Sequence, residues 1–68
     1  MMDEGVELYF IDAAESSLAS AEMMLQQKRR AKAQEYLMSA MYYSAKVDSW
    51  KFPDSFHERV TNVQKRAW

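Results

Sequence analysis

Cysteine is missing altogether from these 68 residues, and histidine, glycine and proline occur once each. Without cysteine there is no disulfide and no thiolate metal site. His57 alone cannot build a zinc site of the usual kind, which takes several nitrogen or sulfur ligands. A single glycine and a single proline leave few places for sharp turns, so β-hairpins are not expected. No glycine-rich phosphate loop, acid pair at a defined spacing or metal motif is present. Neither a nucleophile nor an orienting acid is arranged around His57 by any motif. The expectation is a non-enzyme with no catalytic residue, cofactor, metal or small-molecule substrate.

What remains is one domain that is short of stabilising devices. A chain of this length buries only about 60% of the surface its unfolded form exposes, and such domains lean on disulfides, metals or a partner chain. The composition excludes the first two, so self-association is the expected remedy and a homodimer is the expected state. The hydrophobic share of 49% suits a folded domain and is too high for disorder. Asp3, Glu4 and Glu7 stand where a signal peptide would need basic residues. The longest apolar run, Leu8-Tyr9-Phe10-Ile11, falls far short of the ~20 residues of a membrane span. No membrane association and a cytoplasmic location are therefore expected.

Periodicity predicts an all-α fold, an antiparallel helical hairpin with a short third helix at the C-terminus. The helices fall at approximately 3–27, 31–51 and 55–67. In the first, Ile11, Ala14, Leu18, Ala21 and Leu25 are spaced three and four apart, with Phe10, Ser17 and Met24 widening the stripe. Asp3, Glu4 and Glu7 would favour the positive end of the helix dipole. The stripe fails at Lys28 and Lys32 and restarts at Ala33, continuing through Leu37, Ala40, Ser44 and Val47. Tyr36, Met41, Tyr43 and Trp50 flank it. That change of phase places a turn in 27–31, although no glycine, asparagine or proline marks it, and one long continuous helix is the alternative. Pro53 ends the second helix, since the residue before proline is pushed out of the α region. Ser55 with Glu58 reads as a capping box for the third, whose stripe is Phe56, Val60, Val63 and Ala67. Small residues on the facing stripes (Ala14, Ala21, Ala33, Ala40, Ser17, Ser44) suit a tight hairpin core or, in part, a dimer seam.

Charge is divided along the chain. Residues 1–26 hold six carboxylates and no basic group, a formal −6, while residues 27–68 hold nine basic groups against four acidic ones, a formal +5. An acidic helix lying against basic segments is expected, within one chain or between two. Lys28, Arg29, Arg30 and Lys32 make the densest basic cluster, at the expected turn. Cations there suit either a solvated helix end or contact with phosphates or an acidic partner. A net charge of −1 argues against general nucleic-acid binding, and the turn lacks a helix-turn-helix signature.

Nine aromatics exceed the needs of so small a core. Tyr36 and Tyr43 fall on the core side of the second helix, whereas Tyr42 points elsewhere. Tyr42, together with Tyr9, Trp50, Phe52 and Trp68, is the aromatic candidate for a partner surface, because such side chains bury much area with few rotatable bonds. The alternative is that Trp50, Phe52 and Trp68 close the bottom of the helical core. Met23, Met24, Met38 and Met41 are expected as adaptable core fillers.

Ala33, Tyr36, Ala40 and Tyr43, with the helix before them, resemble a tetratricopeptide unit, but the glycine-tyrosine of that family's helix turn is missing. Tyr42-Tyr43-Ser44-Ala45 is similar to small helical nucleotidyltransferase-associated domains. The ribonuclease motif of those domains needs an arginine shortly before its histidine, and none precedes His57 at that distance. The resulting expectation is a dimeric, cytoplasmic interaction protein that binds another protein as a regulator, adaptor or inhibitor of phage or bacterial accessory type. Its partner-binding residues would be Tyr42, Trp50, Phe52, Lys28, Arg29, Arg30 and Lys32. A nucleic-acid-binding regulator using the basic turn is the competing class.

Overall fold

The computed structural model describes residues 4–68, and Asp3 with its expected helix-capping charge lies outside them. The described residues are all-helical: α1 (Glu4–Gln26), α2 (Arg30–Ser44), a 3-10 turn (Ser49–Lys51) and α3 (Asp54–Ala67). α1 opens with Glu4 and Glu7 in its first turn, where carboxylates face the orphan N–H groups.

The turn after α1 does exist, and the chain achieves it without glycine. Lys28 takes the left-handed conformation at φ 60°. Its N–H donates to Leu25 O at 3.0 Å, and the Arg29 N–H donates to Met24 O at 2.8 Å. This pair of bonds is a Schellman closure, which satisfies carbonyls at the helix end. It works here with a lysine in the position usually held by glycine.

α1 and α2 then run antiparallel and meet through matched patterns. Ala14, Leu18 and Ala21 repeat as Ala33, Leu37 and Ala40, and all six are fully buried. Each leucine sits between alanines that let the backbones approach closely. These alanines are therefore used up inside the hairpin and cannot form a seam with another chain.

α2 ends at Ser44, seven residues earlier than periodicity suggested. The Ser44 hydroxyl donates back to Met41 O at 3.0 Å, and tight backbone bonds follow from Lys46 to Tyr43 and from Val47 to Ser44. The Ser44 hydroxyl thus offers the backbone a local alternative to the helix ladder, and the segment breaks well before Pro53. Val47 still reaches the core at 7% exposure. Phe52 is extended before Pro53, as a residue preceding proline should be.

The expected capping box on α3 does not form. The helix starts at Asp54, Pro53 holds the N-cap position, and no side chain caps the end. Ser55 lies inside the first turn, too late to cap, and the Phe56 N–H closes onto Pro53 O at 2.9 Å instead. α3 lays Phe56, Val63 and Ala67 on the hairpin, with Val60 partly covered. Phe52 and Phe56 stack at 4.4 Å and close the lower end of the core.

Polar contacts fix the direction of α3. Lys51 pairs with Glu7 near the start of α1. The Arg59 Nε donates to Glu22 Oε2 at 3.0 Å, with a second bond from Nη2. The Gln34 side-chain amide donates to Ala67 O. α3 therefore runs from the open end of the hairpin up to its turn, on one side only. The acidic α1 does lie against basic groups of its own chain, and the hydrogen bonds to Glu22 push the Arg59 pKa up, with Glu15 adding to the effect.

Candidate interaction surfaces

α2 is apolar on two sides. Its inner stripe makes the core, yet Met38 is 63% exposed, Tyr42 60% and Met41 43%. Met41 and Tyr42 stand three and four residues after Met38, so both border it in one strip on the outside of the helix. Ala31 and Ala45, both exposed, extend the strip at seven-residue spacing from Met38. A helix apolar on two sides is ordinarily covered on both. The Lys46 ammonium lies 4.8 Å from the centroid of the Tyr42 ring and holds that ring at the lower end of the strip. Gln34, which reaches α3, shares a flank with Met41 seven residues on, so the strip runs alongside α3.

The methionine expectation therefore fails for three of its four members. Met24 packs against the core, whereas Met23, Met38 and Met41 are exposed. Tyr36 sits at the rim, 39% exposed, while Tyr43 is partly buried as expected. The outer strip was present in the sequence as a second heptad series, 31, 34, 38, 41 and 45, in step beside the core series.

The remaining aromatic candidates separate. Trp50 is 77% exposed on the 3-10 turn, with the Lys51 ammonium 5.3 Å from its ring. Phe52, two residues later, is 4% exposed and stacked on Phe56. The stack removes Phe52 from any partner surface, because extended backbone at 52 turns its ring inward between α3 and the hairpin. Trp50 does not pack on the core stripe.

Lys28, Arg29, Arg30 and Lys32 are all exposed at the hairpin turn, and Lys32 pairs with Glu35 at 3.4 Å. The bond from Gln34 to Ala67 brings the last turn of α3 to the same end, with Lys65 and Arg66 in it. With Glu22, one turn before the end of α1, and the Arg59 that binds it, seven basic side chains share that end with the two carboxylates of Glu22 and Glu35, a formal +5. The other described residues hold seven carboxylates against two basic groups, a formal −5. Glu4, Glu7, Asp48 and Asp54 lie toward the opposite end of a molecule 39 Å long. Sequence reading missed Lys65 and Arg66 because nothing local links them to the turn.

No family model, no curated protein and no solved structure matches.

The His57 Nε2 lies 3.0 Å from Ser49 O, a carbonyl that can only accept, and the ring meets Phe52 and Phe56 edge-on. It pins the 3-10 turn to α3. A shallow depression beside it is lined by His57, Glu58, Thr61 and Asn62, all from one helix and with no second wall. Among the described residues, no group of three or more His, Cys, Asp or Glu is placed to hold a metal ion. No described helix is long and apolar enough to cross a membrane.

Proposed function

We propose that this chain is a non-enzymatic protein-interaction module, a regulator, adaptor or inhibitor of phage or bacterial accessory type that works in the cytoplasm as a homodimer. Its partner lies along the outer strip of α2. The observation that carries this reading is the apolar outer side of α2, where Met38 and Tyr42 stand 63% and 60% exposed on a helix whose inner side is already packed. Methionines adapt to a partner's shape, and a tyrosine contributes a large anchor with few rotatable bonds. Trp50 and the turn cations Lys28, Arg29 and Arg30 extend the contact, where rim charges set approach and orientation more than affinity.

The test is capture of a defined partner on immobilised protein, with affinity measured for variants. Tyr42→Ala and Met38→Ala each weaken binding, Tyr42→Ala by about 2 kcal/mol or roughly thirtyfold, as expected for an anchor residue. Unchanged affinity in both variants would refute the strip as the binding surface.

One observation favours a second reading, a regulator that binds nucleic acid: α3 adds Lys65 and Arg66 to the turn cluster. That reading predicts binding to mixed DNA or RNA that falls steeply with salt and is lost in a Lys28→Ala, Arg29→Ala, Arg30→Ala triple variant. No mobility shift at low salt would remove it.

A further inference from the structure

α3 covers one side of the hairpin and leaves the other open. Glu15 and Glu22, seven residues apart, mark the flank of α1 that faces α3, since Arg59 binds Glu22 and feels Glu15. Gln34 marks the corresponding flank of α2. On the opposite flank of α1 stand Phe10, Ser17 and Met24 at seven-residue spacing, each half-buried. On the opposite flank of α2 stand Tyr36 and Tyr43, also seven apart. The Phe10 and Tyr43 rings approach to 6.2 Å, which shows that the two flanks form one continuous face. Between Phe10 and Met24 and between Tyr36 and Tyr43 neither row carries an acidic or basic residue, and Arg29 and Lys32 border the α2 row at its turn end. The small side chains of Ala13 and Ser20 beside the α1 row keep it low enough for a close neighbour.

We infer that this open face is covered by the same face of a second copy lying antiparallel, with Ser17 nearest the two-fold axis and Phe10 of each chain opposite Met24 of the other. Two arguments select that occupant. The first is area. The molecule is 39 Å long and 14 to 19 Å across, so one side offers a footprint on the order of 600 Å². Self-pairing then buries on the order of 1,200 Å² in all, the lower bound for a stable interface. The second is charge. The turn end carries a formal +5 and the rest of the described residues −5. A parallel pair would set the two basic ends together, whereas an antiparallel pair sets Glu4 and Glu7 of one chain beside Arg29 and Arg30 of the other. Because the face itself is uncharged, the poles decide orientation and the apolar rows supply affinity.

This pairing deepens the dimeric part of the proposed function and leaves the outer strip of α2 exposed on both copies. The absence of cysteine allows a clean test, because every introduced thiol is the sole thiol in its chain. Light scattering should give twice the chain mass, with dissociation rising several-fold as salt goes from roughly 0.05 to 0.5 M, where the Debye length shrinks to a few ångströms. Under mild oxidation Ser17→Cys should link to itself. Phe10→Cys mixed with Met24→Cys should link across chains, while Met24→Cys alone and Asn62→Cys on α3 should not. If Phe10→Cys loses its helical circular dichroism, Ala13→Cys mixed with Ser20→Cys reads the same register. A monomer at every concentration, or self-linking of Met24→Cys without that of Ser17→Cys, would overturn the pairing. Tyr42→Ala leaves the Ser17 cross-link unchanged, so loss of partner capture and loss of self-pairing are separate results.

Discussion

Replacing Lys28 by glycine should make this protein more stable although it removes a charged side chain and adds no contact. Lys28 sits at φ 60°, the left-handed conformation in which a Cβ crowds the following carbonyl oxygen. The chain holds it there because the N–H groups of Lys28 and Arg29 close onto Leu25 O and Met24 O, ending α1 and starting the return. Glycine removes that crowding, worth about 1–2 kcal/mol, and loses part of it again through its greater freedom when unfolded, about 0.5–1 kcal/mol. The net expectation is a gain of about 0.5–1 kcal/mol, which for a domain of this size raises Tm by roughly 2–8 °C. Urea and thermal unfolding followed by circular dichroism would measure it, at a fixed chain concentration because self-association makes Tm concentration-dependent. Lys28 also lies among Arg29, Arg30 and Lys32, so part of any gain could come from relieved repulsion. Lys28→Ala separates the two causes, since it removes the charge and keeps the Cβ. It should give a gain of no more than a few tenths of a kcal/mol, as an exposed charge change does. If Lys28→Ala stabilised as much as Lys28→Gly, the backbone argument would be refuted.

Leu18→Ala and Leu37→Ala each empty a fully buried position and should cost about 2–5 kcal/mol. So small a core rarely supplies more than about 3–5 kcal/mol, so each variant should show a largely lost helical spectrum at 37 °C. Phe52→Ala should cost about 3–4 kcal/mol, whereas Trp50→Ala two positions earlier should change stability by less than about 0.5 kcal/mol. Comparable unfolding midpoints for that pair would contradict the placement of Phe52 in the core. A double-mutant cycle on Glu22 and Arg59, both partly exposed, should give a coupling of about 0.5–1 kcal/mol that shrinks in salt. A coupling of zero at low salt would mean that the pair does not orient α3.

The parts legible in the sequence were those written in local periodicity. Ala14, Leu18 and Ala21 stand in the core with Ala33, Leu37 and Ala40, and the phase change between Leu25 and Ala33 marked a real turn. The turn's mechanism was hidden because its signal residue is a lysine where glycine is customary. The end of α2 was hidden for a different reason. Pro53 is the loud signal, but the helix stops at Ser44 through hydroxyl and backbone bonds that compete quietly with the ladder. Ser55 and Glu58 had the spacing of a capping box without the position, because helix geometry already begins at Asp54.

For the candidate surfaces, Tyr42 was found by its phase on α2, while Met38 and Met41 were misplaced by treating every methionine as filling. Both belong to the outer heptad series, which becomes visible only when α2 is read for two stripes at once. Lys65 and Arg66 reach the basic end through a contact between residues 34 and 67, and no sequence pattern spans such a distance.

The central claim, that the outer strip of α2 holds a protein partner, is tested most directly by site-resolved cross-linking. A photo-reactive benzoylphenylalanine would replace Tyr42 in one sample and Asn62, on the solvent face of α3, in another. The account predicts one defined adduct from position 42 that excess unlabelled protein competes away, and none from position 62. Adducts from 62 and not from 42, or an uncompeted smear from both, would contradict it.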